Sequence, residues 1–434
     1  MSVLLALGPA ALLLAGGGYP VDGYEESGIR RVERLRLRLD GKLSGPVPPP
    51  GGRKASRDIR LWLDDPARAP ETLPAPDAAL QKDLTAVFAG RDETYSIALL
   101  DVTPGRPLRF AALREKSVYQ PGSVAKLAVA AGLFTELKTL FPDRPEDRRR
   151  LLRERRIVAD EWIRTDHHSV PFFDPATKET SSRPIRDGDV FTLYEWADHM
   201  LSASSNAAAS TVWKELILMR AFGTAYPPSR EAELRYFKET PVKQVQEIAH
   251  AVVDEPLRRL GIAEDDFKLG QFFTAAPNRR FPPTGSSGAT PLGAMQYLVR
   301  LEEGRIVDAW SSLELKKLLY MTERRIRYAS SPRLAGAAVF FKSGSLYECR
   351  PEPGFVCGQY QGNHSNYMNS VAVVERPDGA VYLVALMSNV LKINSAVEHQ
   401  SLATFIDGIV AAAPAASSSN AEGAKERRDR REKD

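Results

Sequence analysis

Apolar and polar positions alternate in ways that divide the chain into distinct stretches. Leu35 to Leu39 reads Leu-Arg-Leu-Arg-Leu, a period of two that predicts a half-buried strand. A second short strand is predicted over 59–63, with the Pro/Gly-rich run Pro46 to Gly52 as the loop between them. From Asp77 the period changes. Leu80, Leu84, Val87 and Phe88 share one helical face, Asp77 is placed to cap the first turn and Gly90 to end the helix. The apolar run 95–102 predicts a strand, Thr103-Pro-Gly-Arg106 a turn, and 108–111 a return strand. After Pro121-Gly122-Ser123 comes VAKLAVAAGLFTEL, an Ala/Leu-rich run that predicts a helix buried at the domain centre.

Residues 140–290 read as helices and long loops. Three strands follow, at 337–341, 368–374 and 381–387, the last two flanking the turn Arg376-Pro-Asp-Gly379. An amphipathic helix over 396–412 closes the pattern. The predicted fold class is therefore α/β (α+β): an antiparallel sheet flanked by helices, with an all-α part at roughly 135–290.

The two ends differ from this body. Met1 to Gly18 is apolar but shorter than the ~20 residues of a membrane-spanning helix. The basic n-region usual in a signal peptide is missing, but the length suits a signal's apolar region and small residues at 15–18 offer a cleavage site, so it reads as an export signal or anchor. The expected organisation is a signal or anchor at 1–18, a β-rich extension and linker at 19–76, a main domain at 77–413, and a disordered tail at 414–434 that lacks apolar bulk. The expected location is periplasmic or extracellular, with membrane anchorage through residues 1–18 if they are retained.

Composition narrows the partners. With 59 basic and 55 acidic residues the net charge is +4, which gives no global attraction to nucleic acid. The basic run Arg148 to Arg156 is interleaved with Asp143, Glu146, Asp147 and Glu154, and reads as a solvated helix face. The two cysteines, Cys349 and Cys357, flank a Pro/Gly-rich hairpin-like segment. In an oxidising compartment they can close a loop worth roughly 2–3 kcal/mol.

Three short strings carry chemistry: Ser123-Val-Ala-Lys126, Ser204-Ser205-Asn206 and Lys342-Ser343-Gly344. Ser123 opens a helix, where unpaired backbone N–H groups can stabilise an oxyanion. Lys126, three residues on, shares its face and can act as a base if burial or a second cation such as Lys342 lowers its pKa. Ser204 can relay a proton to a leaving group, and Asn206 offers a donor and an acceptor to a substrate amide. Lys342 and Ser343 end an apolar strand and can hold a carboxylate, and Gly344 allows a ligand backbone to come close. Together they supply the parts of covalent acyl transfer through serine.

The ordered triple resembles the penicillin-recognising serine hydrolases, and most closely the class A β-lactamases. The resemblance covers about 77–413, including Gly288-Ala-Thr-Pro-Leu-Gly293 before a helix. It implies a helix–sheet domain plus an all-α domain with the site in the cleft between them. It also implies that Ser123 is the acylated nucleophile, Lys126 its base, and Ser204 and Asn206 the second motif. Lys342 and Ser343 would anchor the substrate carboxylate, with the N–H groups of Ser123 and Ser345 as the oxyanion hole. The resemblance further implies a small-molecule substrate, a β-lactam or a peptidoglycan-like peptide, acted on by a monomer without cofactor or metal.

Three features depart from that pattern. Ser205 replaces an aspartate in the second motif, and Lys-Ser-Gly replaces Lys-Thr-Gly. The Glu-x-x-Leu-Asn string of the deacylating glutamate is absent. The acids nearest in sequence, Glu247, Asp254, Glu255, Glu264, Asp265 and Asp266, lack its context. A D-alanyl-D-alanine carboxypeptidase or esterase, or a non-hydrolytic penicillin-binding sensor, is the alternative this absence favours. Asp166-His167-His168 reads as a loop near the cleft and not as a metal site, because no second ligand cluster accompanies it. His199 reads as a packed histidine, and Phe272, Phe273 and Phe281 as core.

Overall fold

The computed structural model describes residues 18–323 and 325–412. The expected export signal, Gly18 apart, and the expected tail lie outside the described residues.

Five strands form one antiparallel sheet, in the spatial order Arg109–Leu113, Ser96–Asp101, Val381–Asn389, Ser365–Glu375 and Ala338–Glu348. Successive side chains point to opposite faces. Ile97, Leu99, Val384 and Leu386 meet Leu80 and Leu84 of the helix Ala78–Phe88, and Leu402 and Ile406 of the closing helix Ala396–Ala411. Ala98, Leu100, Leu383 and Ala385 face the other way, into a larger core with Leu127, Phe134, Trp213 and Leu298. Cover on both faces explains why the first strand reads as a continuous apolar run and not as an alternation. Asp77 caps its helix as expected, accepting from the Leu80 N–H at 2.8 Å.

The α-rich block is built around the helix Lys126–Leu140, whose first twelve residues are all buried. The expected all-α character needs correction, because three short antiparallel pairs occur within or beside it. Arg156–Val158 pairs with Val190–Thr192, Ser169–Phe173 with Thr180–Pro184, and Phe267–Lys268 with Gly288–Ala289. The second pair is a hairpin whose first strand buries Val170, Pro171 and Phe173 and whose second is mostly exposed, and its Ser, Thr and Pro content disfavours a helix. The basic run forms the helix Pro145–Glu154, with Arg149 and Arg150 paired on its surface to Glu146 and Asp147. Arg148 is the exception: it is buried and donates to Asp308 at 2.7 Å.

The N-terminal extension also departs from expectation. It is helical, not β-rich, and Glu33–Leu39 is an α-helix. Leu and Arg are strong helix formers and the run contains no β-branched residue, so propensity favours the helix over the alternation. Two of its three arginines form ion pairs: Arg36 bonds Glu33 one turn back, and Arg34 reaches Glu323 at 3.0 Å, while Arg38 donates to the Pro46 carbonyl. No strand forms at 59–63. Ile59 and Leu63 are buried, but the Trp62 and Leu63 N–H groups bond the side chain and carbonyl of Glu302 and not a neighbouring strand.

The extension is tied to the body by buried charge. Arg31 forms a two-pronged pair with Asp198 and donates to Glu323 at 2.8 Å and to the Met321 carbonyl. Arg31 and Asp198 are 2% and 0% exposed. Farther along, Trp62 donates to Glu375 at 2.7 Å, and Glu375 in turn meets the buried Lys316 at 3.0 Å.

Removing one member of a buried pair strands the other charge. Arg31→Ala is therefore expected to lower stability by about 3–5 kcal/mol, measured by chemical denaturation. The double variant Arg31→Ala with Asp198→Ala should recover part of the loss, and purely additive costs would show that the pair is not coupled.

Candidate active site

Ser123 lies in a tight 3-10 turn, Gly122–Ala125, that runs directly into the helix beginning at Lys126. That helix places the Lys126 amine 2.9 Å from Ser123 Oγ. Lys126 is fully buried. Its Nζ also lies 2.6 Å from the Ser204 carbonyl and 2.7 Å from Asn206 Oδ1. A neutral amine has two N–H donors and one lone pair. The carbonyl and the amide oxygen account for the donors, and the lone pair then faces the Ser123 hydroxyl.

The second motif joins two helices, Leu193–Leu201 and Asn206–Phe222. Ser205 caps the latter, accepting from the Ala208 N–H at 3.1 Å. Ser204 adopts φ 61°, a left-handed conformation unusual for a residue with a side chain. In that conformation its carbonyl meets Lys126, and its hydroxyl lies 2.8 Å from Lys342 Nζ. Asn206 uses Oδ1 on Lys126, so of the donor and acceptor expected to face a substrate, the amide N–H₂ remains.

The third motif lies on the edge strand Ala338–Glu348, where Lys342 is opposite Val371 and Gly344 opposite Asn369. A Cβ on Gly344 would fall 2.1 Å from the Pro121 carbonyl oxygen, and one on Gly122 2.7 Å from Ser345 N. The close approach at Gly344 is thus made by the chain's own nucleophile turn, not by a ligand backbone. It packs the turn against the strand, with Ser123 N 3.1 Å from where a Gly344 Cβ would lie. Asn369 fixes the turn, donating to the Gln120 and Pro121 carbonyls at 2.9 and 3.1 Å.

Ser123, Ser204, Lys342, Ser343, Gly344 and Ser345 line one cavity of about 550 Å³. Burial pushes the Lys126 amine down to about 7, against the upward pull of the Asp166 carboxylate. Lys342 is held well below the ordinary lysine range, first by burial and then by the Lys126 and Arg327 cations. Two buried amines this close cannot both hold a proton cheaply.

Several participants were not evident from sequence. Asp166 is buried against the second motif, accepting from Ser205 Oγ at 2.7 Å and from the Ala207 N–H at 2.8 Å. Burial raises its pKa, but hydrogen bonds from His168, Ala207 and Ser205 prevail and hold it well below the usual carboxylate range. Arg327 lies in the cavity wall at φ 53°, donates to the Gly344 carbonyl at 2.7 Å and stacks over Tyr360. Nothing in its sequence neighbourhood marks it. Phe272 and Phe281 are core, but Phe273 turns its ring toward Lys126, 5.1 Å from Nζ. His199 is buried edge-on to Phe191, and burial lowers its pKa to about 3.

None of the six acids from Glu247 to Asp266 lines the cavity. Among the described residues no cluster of His, Cys, Asp or Glu has the makings of a metal site, and no helix is long and apolar enough to cross a membrane. Cys349 and Cys357 form a disulfide just beyond the edge strand that carries Lys342.

No protein-family model and no curated protein matches the chain. Among solved structures it is similar to a β-lactamase from Chitinophaga pinensis DSM 2588, at 15% identity and a TM-score of 0.50, over 77% of this chain and 99% of that one. It is also similar to PBP-A, at 13% identity and a TM-score of 0.49 over 78% of this chain and 98% of that one. A β-lactamase from Sphaerobacter thermophilus DSM 20745 aligns at 15% identity and a TM-score of 0.47, over 78% and 99% of the respective chains. With its helix-flanked antiparallel sheet and its element order, this chain has the β-lactamase-like fold of the penicillin-recognising proteins.

Proposed function

We propose that the chain is an exported serine hydrolase that acts by acyl transfer, opening a β-lactam or a related amide that carries a nearby carboxylate. The observation that carries this reading is the seating of Lys126: a buried amine with acceptors for two N–H groups and its third direction on Ser123 Oγ.

In the proposed reaction Lys126 takes the Ser123 proton as Oγ attacks the carbonyl carbon. The N–H groups of Ser123 and Ser345 receive the developing oxyanion. Ser204, held between the two amines, passes the proton to the leaving nitrogen. Lys342 and Arg327 form the cationic wall that a substrate carboxylate would meet. An anion there would favour the charged form of Lys342, leaving Lys126 to carry the lone pair. The Cys349–Cys357 disulfide fits an oxidising compartment.

A second reading, a D-alanyl-D-alanine peptidase or a sensor that keeps its acyl group, is favoured by Phe273. An aromatic ring, not a carboxylate, faces Lys126 from the segment between the second and third motifs.

Benzylpenicillin followed by intact-mass analysis tests acyl transfer, and nitrocefin hydrolysis tests turnover. A mass increase located on Ser123 is expected, absent in Ser123→Ala and Lys126→Ala. Both variants should unfold within about 1–2 kcal/mol of the wild type, since neither side chain anchors the core. A wild type that stays unmodified defeats the proposal.

Acylation should also depend on pH. The lone pair of Lys126 is lost on protonation, so the rate is expected to fall as pH drops through about 7 and to level off above it. A flat profile across that range, followed by rapid-quench mass spectrometry, would remove Lys126 as the base.

A further inference from the structure

The cleft contains one further pair of groups with the geometry of a base and its holder. Asp166 precedes the hairpin Ser169–Phe173/Thr180–Pro184. Its carboxylate is 4% exposed and accepts from Ser205 Oγ, the Ala207 N–H, the His168 N–H and the His168 ring. The ring contact runs from Nδ1 to Oδ1 at 2.6 Å. An ionised carboxylate can only accept, so Nδ1 carries the hydrogen, and in the neutral imidazole Nε2 is the nitrogen left with a lone pair. His168 lines the same cavity as Ser123 and Ser204. Asp166 is anchored through Ser205 and Ala207, the residues on either side of Asn206, whose Oδ1 bonds Lys126. The imidazole is therefore linked to the reacting centre through fixed hydrogen bonds and is not free at the rim.

We propose that His168, oriented by Asp166, is the base that activates water to release the acyl group from Ser123. The inference rests on the acyl-transfer reading above. It supplies the step for which no carboxylate between residues 207 and 288 lines the cavity. In this step a water oxygen forms a bond to the acyl carbonyl carbon while His168 Nε2 takes one water proton. The bond from that carbon to Ser123 Oγ then breaks, the imidazolium proton goes to Oγ, and the acyl group leaves as a carboxylic acid that ionises in solvent. The substrate class is unchanged. What the dyad adds is turnover, so the chain would be a hydrolase and not a trap.

The test uses the full chain, benzylpenicillin and time-resolved intact-mass analysis. The expected result is a transient adduct in the wild type. In His168→Ala the adduct should form at a similar rate but decay about 10²–10⁴-fold more slowly. Free imidazole added to His168→Ala should restore decay, an effect that a merely structural role would not produce. His168 is partly exposed, and matched thermal unfolding of the variant and wild type checks that the fold is intact.

Decay in His168→Ala at the wild-type rate overturns the inference, as does a persistent adduct that imidazole leaves unchanged. A wild-type adduct that never decays overturns it while leaving acyl transfer standing. A wild type that never forms the adduct overturns the acyl-transfer reading, and this inference with it.

Discussion

Two lysine amines without an adjacent carboxylate, buried on either side of one serine hydroxyl, set the terms for the whole molecule. Lys126 and Lys342 are 0% and 2% exposed. Moving an ammonium out of water costs several kcal/mol unless it is paired. Among the described residues these amines have oxygen acceptors but no partner anion in direct contact, and the resulting pressure to shed a proton makes a lysine serviceable as a base. The strained backbone of Ser204, the missing side chain of Gly344 and the clasp of Asn369 all hold the two amines at this spacing. Strain of this kind persists only where the surroundings over-determine it.

The N-terminal extension contributes no group to the cavity's reacting centre, yet it braces the cavity. Arg31 links Asp198, on the helix that leads to Ser204, with Met321 and Glu323, on the segment that leads toward Lys342. The two walls of the cleft are thereby joined behind the site through one guanidinium. A planar, permanently charged group with several donors suits this bridging better than an amine would.

The parts of the fold that local chemistry dictates were legible in the sequence. The Asp77 cap, the apolar strands of the sheet and the Ala-rich nucleophile helix each follow from neighbouring residues. The first two motifs lie at element boundaries that their own flanks define, whereas the third, expected at a strand end, lies within the strand Ala338–Glu348, which continues past the apolar run. Legibility failed where meaning depends on distant partners. Leu35 to Leu39 failed for a local reason instead: its alternation predicts a half-buried strand, while the helix propensity of Leu and Arg prevails. Asp166 looks like loop until Ser205, 39 residues on, is found against it. Phe272 and Phe273 are adjacent and chemically identical, yet one packs in the core and the other faces an amine. Only the fold separates their roles. Arg327 is one of several arginines in its stretch, and nothing but the cavity distinguishes it.

The depressed state of Lys342 has a thermodynamic corollary. In the empty cleft burial, Lys126 and Arg327 all lower this amine's affinity for a proton. An anionic ligand seated there opposes that shift, so association favours uptake of hydrogen ions from the buffer. The measured heat would then vary with the ionisation enthalpy of the buffer, and affinity for anions would weaken as the solution becomes more alkaline.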